Sequence, residues 1–410
     1  LLEMAVMKAY MVVSRRMIEP FGEHPRDCLI VNRKLSALQE DALASQNLSL
    51  VRVNEQVEID DPDEHLVFDD FVYFTPELLR EFVARSRKLQ RHTEAAMKPG
   101  VSTLRCMASA QDVRRREDHI VYRLHYVPAR DYRGAATVPV VMDTDQITEF
   151  VPMPAHLVEG GEYHVPLTDR LLIQIEHWSA LYAANIATLL ARTARVMNKP
   201  RLELLFMALK AGSFNKWSVL RQANHIGRGC DIHPTAYIEG STIGNSVKIG
   251  AGAIVRESVV GDRTYIANNA SVELSAIGEG CELQGGAVVQ YSVLYPGAFT
   301  FAKGINASFL GRDTFVGEGA ALADFRFDGR PVTVLSDGKK VDTGNTFLGA
   351  CLGHGVYLGS GCIVAPGRTI PNGMRINPEE SRIIVRCVPG LEVKGHRLTE
   401  ASLPRDSRAD

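Results

Sequence analysis

The sequence predicts two joined folds, an α/β domain in the first half and a left-handed parallel β-helix in the second. Two observations carry this. The second half has a fixed 17-residue aliphatic period, and the first half alternates short apolar runs with helical patterns. In the second half, Ile226, Ile243, Val260, Ile277 and Leu294 are evenly spaced, as are Ile232, Ile249, Ile266 and Leu283, and Ile238, Val255, Val272 and Val289. Three interleaved rows, stepped 6, 6 and 5 residues, describe a triangular coil with one inward side chain per face. Gly227, Gly244, Gly261 and Gly278 follow the first row, where a corner leaves no room for a Cβ. After an interruption the rhythm returns every six residues as Leu352, Leu358, Val364, Ile370 and Ile376. A hexapeptide period of inward Ile, Val or Leu marks the rare left-handed exception to right-handed parallel connections. The coil is expected over residues 225–388, in about eight or more turns stacked about 4.8 Å apart. A polar tail, 389–410, follows it.

Residues 1–168 read as a mixed α/β domain, with strands expected at Leu48–Val53, Leu66–Phe74, Ile120–Val127 and Val138–Met142. The stretch from Pro76 to Arg91 places Leu78, Leu79, Phe82 and Val83 on one helical face, with basic residues outside. Residues 169–224 connect the halves. A longer helix there is expected from Asp169 to Met197, capped by Thr168 and ended before Pro200.

Charge and cysteines narrow the function classes. A net charge of −2 and a pI near 6.7 offer no basic surface for a phosphate backbone, so nucleic acid is not an expected partner. The seven cysteines are scattered, without a C-x-x-C pair, which fits reduced thiols in the cytoplasm and no metal site. The apolar opening, Leu1–Val13, contains Glu3 and Lys8 and precedes Arg15 and Arg16. It fits neither a signal peptide nor a membrane span.

Four segments, in order, resemble the sugar-1-phosphate nucleotidylyltransferases that carry a hexapeptide-repeat domain. Ile30-Val31-Asn32-Arg33-Lys34-Leu35 is similar to their V-N-x-K-P-L segment. Leu66–Asp70 with Thr75–Leu79 resembles their acidic strand end and following helix. Gln146–Pro154 is similar to the x-V-x-x-F-x-E-K-P strand, and Trp178–Asn185 to the W-x-L-L-x-A-N helix that enters the coil. The resemblance implies a nucleotidylyltransferase-like N-terminal domain, with Asp69 and Asp70 as its acidic pair. The chain departs from the family at its chemistry. Residues 1–30 contain one glycine, Gly22, so no Gly-rich loop is present to cradle phosphates, and Pro152-Met153 replaces Glu-Lys. The domain is therefore expected to be a degenerate one.

The interruption in the coil resembles the glucosamine-1-phosphate acetyltransferase site of the bifunctional members. Lys303-Gly304-Ile305-Asn306-Ala307-Ser308-Phe309-Leu310-Gly311 is similar to K-A-G-H-L-T-Y-L-G, and Asp324-Phe325-Arg326-Phe327-Asp328-Gly329 to N-L-R-F-D. Gly344–Ala350 resembles a third segment, S-G-R-R-K-L-G-A. A loop at about 323–346 would be thrown out between turns, with Asp337-Gly338 as a hairpin turn. The resemblance implies acetyl-CoA or another acyl-CoA as co-substrate and a sugar or nucleotide-sugar acceptor. Acyl transfer needs a general base and an oxyanion donor. Asn306 stands where the family has its histidine, and an amide orients or polarises but takes no proton at neutral pH. His354, between Gly353 and Gly355, is the proposed base, expected exposed at a coil corner, with His233 as a lesser candidate. Asp324, Arg326 and Asp328 are expected to bind substrate, with Lys303 and Tyr357 in support.

Three functions follow: a CoA-dependent acyltransferase, a non-catalytic scaffold or regulatory protein in which both ancestral sites have decayed, and a working nucleotidylyltransferase. In resembling transferases three coils pack side by side. The aromatic residues Tyr291, Tyr295, Phe299, Phe301 and Phe309 are accordingly expected at the faces of a homotrimer.

Overall fold

The computed structural model describes residues 7–54, 59–130, 136–144, 147–155, 157–197 and 199–378, with the backbone of a short strand pair, Glu392–Val393 and His396–Arg397. Gln146, residues 379–388 of the expected coil and the rest of the tail lie outside the described residues.

The coil comprises three all-parallel sheets of eight, eight and seven strands. Each strand is two or three residues long and pairs with its equivalent one turn on. The three aliphatic rows face inward as the period requires. One runs Ile243, Val260, Ile277, Leu294, Leu310, Leu352 and Ile370, and all seven side chains belong to one continuous hydrophobic cluster. Each such side chain gains about 1.5–3 kcal/mol over an exposed one. Thr300 interrupts the second row without an orphaned polar group, because its Oγ1 accepts the Ala302 N–H at 2.9 Å. Thr300 itself is fully buried.

The five-residue side of each early turn closes through a left-handed residue. These are Gly240, Glu257, Leu274, Tyr291 and Ala307, with φ between 42° and 58°. Only the first is glycine, so the shortened corner holds four side chains in a sparsely populated conformation. Between Ala321–Leu322 and Cys351–Leu352 the coil is interrupted by a hairpin, Thr333–Ser336 paired with Lys339–Asp342. Asp337 (φ 48°) and Gly338 (φ 74°) make its two-residue turn. The hairpin folds back: Val332 and Val334 are buried, and His177 Nε2 lies 3.1 Å from the Leu335 carbonyl. Gly367 sits where any Cβ would collide with the Thr333 carbonyl.

The N-terminal domain is built on a sheet ordered Val138–Met142, Thr93–Met97, Ile120–Val127, His65–Asp69, Lys8–Val13, Ser49–Asn54. Ile120–Val127 runs antiparallel to Thr93–Met97, His65–Asp69 and the short strand Arg114–Arg115, and the other pairings are parallel. Lys8–Val13, within the apolar opening of the sequence, is a central strand. The expected strand Leu66–Phe74 is two, His65–Asp69 and Val72–Phe74, because the chain turns at buried Asp70, whose carboxylate Arg26 holds at 3.1 Å. The expected helix from Asp169 begins at Trp178 instead. The run Leu171–Ile175 is apolar apart from Gln174, and Leu172–Gln174 pairs with Val72–Phe74. Thr168 closes a turn, its Oγ1 accepting the Arg170 N–H, and caps no helix. Among the described residues no helix is long and apolar enough to cross a membrane.

One face of the coil is covered by the rest of the chain. The outward side chains Val259, Ala276, Val293, Phe309 and Cys351, one per turn, are buried. They share a core with the helix Trp178–Met197 and with residues 18–35. Tyr295 lies beneath this lid: its hydroxyl bonds the Leu29 backbone, and Phe21 stacks on its ring at 5.7 Å. Asn32 donates to the Ile277 carbonyl (2.7 Å) and Tyr182 to that of Tyr291 (2.8 Å). Tyr295 and Phe309, expected at a subunit boundary, are thus buried by this chain's own N-terminal domain. Phe299 and Phe301 lie on a different, uncovered face.

Candidate ligand cleft

Where the N-terminal domain, the bridging helix and the coil meet, a cleft of about 270 Å³ remains. The helix supplies one wall. Ala183, Ile186, Ala187 and Leu190 fall at helical spacing on one stripe, as expected of an apolar face. Met107, Met153 and Leu171 stand with them. The coil supplies the floor through Leu274, Tyr291 and Ala307, three of the left-handed corner residues, together with Gln290 and Asn306.

Its polar groups are few and distinct. Arg105 lies over the Tyr163 ring, 3.7 Å from its centroid. Arg105 Nε donates to the His164 carbonyl (2.9 Å) and Nη1 to Asn345 Oδ1 (3.1 Å), while Asn345 Nδ2 donates to the Leu104 carbonyl (3.0 Å). Burial lowers the Arg105 pKa, opposed by Tyr163. Asp324, on the last residue before the excursion, lines the cleft, and burial raises its carboxyl above the usual carboxylate range. Asn306 Oδ1 is buried at the cleft with no hydrogen-bond partner. Burial also raises the phenols of Tyr163, Tyr182 and Tyr291, so each stays a neutral donor. A carboxyl tuned upward, an unpartnered amide carbonyl and a cation in a mostly apolar pocket can bind an organic molecule and accept a proton from it.

The structure brings together two of the residues singled out from the sequence, Asn306 and Asp324. The others lie elsewhere. Arg326 pairs with Asp328 on the surface, holding the Asp328 carboxyl at about 2 by hydrogen bonding. Lys303 and His233 are exposed on the coil, away from the cleft lining. Tyr357 is exposed and stacks on Phe315 at 5.8 Å.

His354, expected exposed, is half-buried against the N-terminal domain. The Arg312 backbone N–H donates to its Nδ1 (2.8 Å), which leaves the proton on Nε2, 3.2 Å from Glu23 Oε1. Phe21 lies over the ring at 5.0 Å. Arg312 Nε also donates to Glu23 Oε1 (3.0 Å), and Asn372 Nδ2 to the Phe21 carbonyl (3.1 Å). Both imidazole nitrogens are occupied in docking the two domains. The segment after the first strand, where a phosphate loop would lie, is part of the same contact. The carboxyl ends of the central strands are closed by Arg16–Glu176, Arg26–Asp70 and Arg123–Asp69 pairs.

Arg105, Tyr163 and Asn345 were not legible as site residues. Nothing around Arg105 in Val101-Ser-Thr-Leu-Arg-Cys forms a motif. Asn345 lies in a segment that resembles part of the acetyltransferase site, and that nearness was the one available signal.

No family profile matches the chain, and neither does any curated protein sequence. Among solved structures the chain is similar to a Bacillus cereus protein provisionally described as an acetyltransferase. The two are 18% identical over 37% of this chain and 77% of that one, with a TM-score of 0.15. A likeness of that size identifies neither activity nor substrate.

Proposed function

We propose that the protein is a hexapeptide-repeat acyltransferase that uses an acyl-CoA to acylate a sugar or nucleotide-sugar held in the cleft. One observation carries this: Asn306 and Asp324, drawn from the two segments that resemble an acetyltransferase site, line one cleft, and burial there raises the Asp324 carboxyl above the ordinary carboxylate range. Asp324 takes the proton-accepting role, because both nitrogens of His354 are engaged in domain docking. The acceptor O–H or N–H gives its proton to the Asp324 carboxylate as its oxygen or nitrogen bonds the thioester carbonyl carbon. The C–S bond then breaks, and the CoA thiolate takes the proton from Asp324. Asn306 Oδ1 holds an acceptor O–H or N–H and ends its own unpartnered state. The open coil face bearing Phe299, Phe315 and Tyr357 is proposed to pack three copies together, as in the transferases this coil resembles.

The test is acyl transfer from acetyl-CoA and longer acyl-CoAs to a panel of amino sugars and sugar nucleotides. Asp324→Asn is expected to lower kcat by about 10²–10⁴-fold, the usual share of a general base. The scaffold reading has one observation in its favour, the use of His354 and of residues 18–24 as a domain clamp. A folded wild type with no transfer to any acceptor would establish it.

A further inference from the structure

The same cleft contains a charge that the protein leaves uncompensated. Arg105 is half-buried, and among the described residues no carboxylate comes within ion-pair distance of it. Its hydrogen bonds go to two neutral oxygens, the His164 carbonyl and Asn345 Oδ1, from Nε and Nη1, and Nη2 meets no acceptor among the described residues. A guanidinium withdrawn from water without a counter-ion is costly, and an anion brought to it makes a charge-assisted bond that restores the loss. The Asp324 carboxyl of the cleft is not paired with it. Tyr163 beneath the guanidinium and Asn345 beside it fix its plane, so the group is pre-oriented before any ligand arrives.

The remainder of the lining has a different chemistry. The stripe Ala183, Ile186, Ala187 and Leu190 faces Met107 and Met153, and the methionines adapt to irregular shapes. A small hydrophilic anion would leave these walls in contact with trapped water. A sugar seated at Asn306 and Asp324 would leave the aliphatic wall unfilled unless it carries an apolar body. We infer that the cleft binds an amphipathic anion, a molecule with one carboxylate or phosphate ester seated at Arg105 and an apolar body along the Ile186–Leu190 wall. This inference rests on the cleft being the binding site and names the class of group bound there. It stands apart from whether acyl transfer occurs.

The test is calorimetric titration of the full chain with decanoate, decyl phosphate, decanol, acetate and inorganic phosphate. Decanoate or decyl phosphate is expected to bind with a Kd on the order of 10–100 µM, with acetate and inorganic phosphate undetectable. The tighter of the two long-chain anions identifies the head group. Decanol is expected to bind at least about tenfold more weakly, which is the share of one charge-assisted contact. Arg105→Gln should bring the long-chain anions down to the decanol level and leave decanol unchanged. Arg105 also ties the domains, so Arg105→Lys keeps the charge as a folding control and is expected to retain most anion binding. Ile186→Trp, which fills the apolar wall, should abolish binding of every long-chain probe with Arg105 in place. Equal affinity for decanol and decanoate would overturn the anion subsite. Acetate or phosphate binding as tightly as the long-chain anions would overturn the apolar body, and no binding of any long-chain anion would overturn the whole inference. Decanoate binding by a chain without acyl-transfer activity would remove the proposed reaction and leave this inference standing.

Discussion

Two faces of the coil share one backbone geometry and differ in what stands outward. On the covered face the outward column reads Val259, Ala276, Val293, Phe309, Cys351, all buried. On the open face it reads Lys248, Tyr265, Glu282, Phe299, Phe315, Tyr357, Arg375, with the charges of Lys248, Glu282 and Arg375 spaced among half-exposed rings. The inward rows behind both columns are aliphatic, apart from the hydrogen-bonded Thr300 behind the open face, since a buried interior tolerates few unpaired polar groups. What the difference teaches is that the inward row makes the coil and the outward column decides what lies against it. Small and apolar outward residues admit a helix at close approach. Spaced charges and stacked rings remain in water unless another copy covers them.

The largest effect tests what both faces share. Val255→Asp puts an unpaired carboxylate into the dry interior, where Val255 is fully buried. Loss on the order of 4–5 kcal/mol or more is expected, enough to unfold the coil. A cooperative melt near the wild-type temperature would contradict the inward assignment.

Next comes the covered face. Ala276→Arg forces a long cation between the coil and the bridging helix, where Ala276 is 1% exposed. About 2–4 kcal/mol of destabilisation is expected. Limited proteolysis should release an intact coil, because the substitution breaks docking and leaves the inward rows untouched. The same substitution at Tyr265 should leave the melt within about 0.5 kcal/mol of wild type.

Acid and base test the two polar parts of the covered face with opposite signs. At the clamp, burial alone would raise the Glu23 carboxyl, but hydrogen bonds from His354 and Arg312 outweigh it and leave it lowered. Its contribution is therefore present above the ordinary carboxylate range and lost as pH falls through the depressed value. In the cleft, burial raises Asp324. There the native state holds a proton that the unfolded chain has already released, so stability declines as pH rises from about 3.9 toward the raised value. Urea midpoints of Glu23→Gln and Asp324→Asn should both converge with wild type at the acid end and diverge with opposite signs as pH rises, Glu23→Gln falling below wild type and Asp324→Asn standing above it. Wild-type kcat should rise with pH through the raised Asp324 value, since the ionised form takes the proton. A flat profile would remove Asp324 from that role.

The smallest effects concern surfaces left open. Tyr357→Ser, on the open face, should change monomer stability by no more than about 0.5 kcal/mol. Light scattering should show it dissociating the proposed trimer, and a wild type that is monomeric would leave that face a plain solvated one. Titration with UTP, dTTP, CTP and GTP and Mg²⁺ should give no heat, because residues 14–28 pack on the coil where a phosphate loop would stand. Micromolar binding of any of them would reopen the nucleotidylyl reading.

The sequence by itself determined the coil. A period of 17 with inward aliphatics has one packing solution, and each of its positions is read locally, so the three rows fell where the spacing put them. It also supplied Asn306 and Asp324, through short segments that stay together along the chain. It misplaced the start of the bridging helix because Leu171–Ile175 is compatible with either period, and only pairing with Val72–Phe74 makes it a strand. Which coil face is covered, and that His354 meets Glu23, were decided by tertiary structure, since these contacts join residues between 109 and 331 positions apart. Arg105 entered the cleft in the same way. Its partners His164 and Asn345 are remote in sequence and lie on different domains, and no local pattern of side chains encodes a cation whose role is set by the carboxylates that are not beside it.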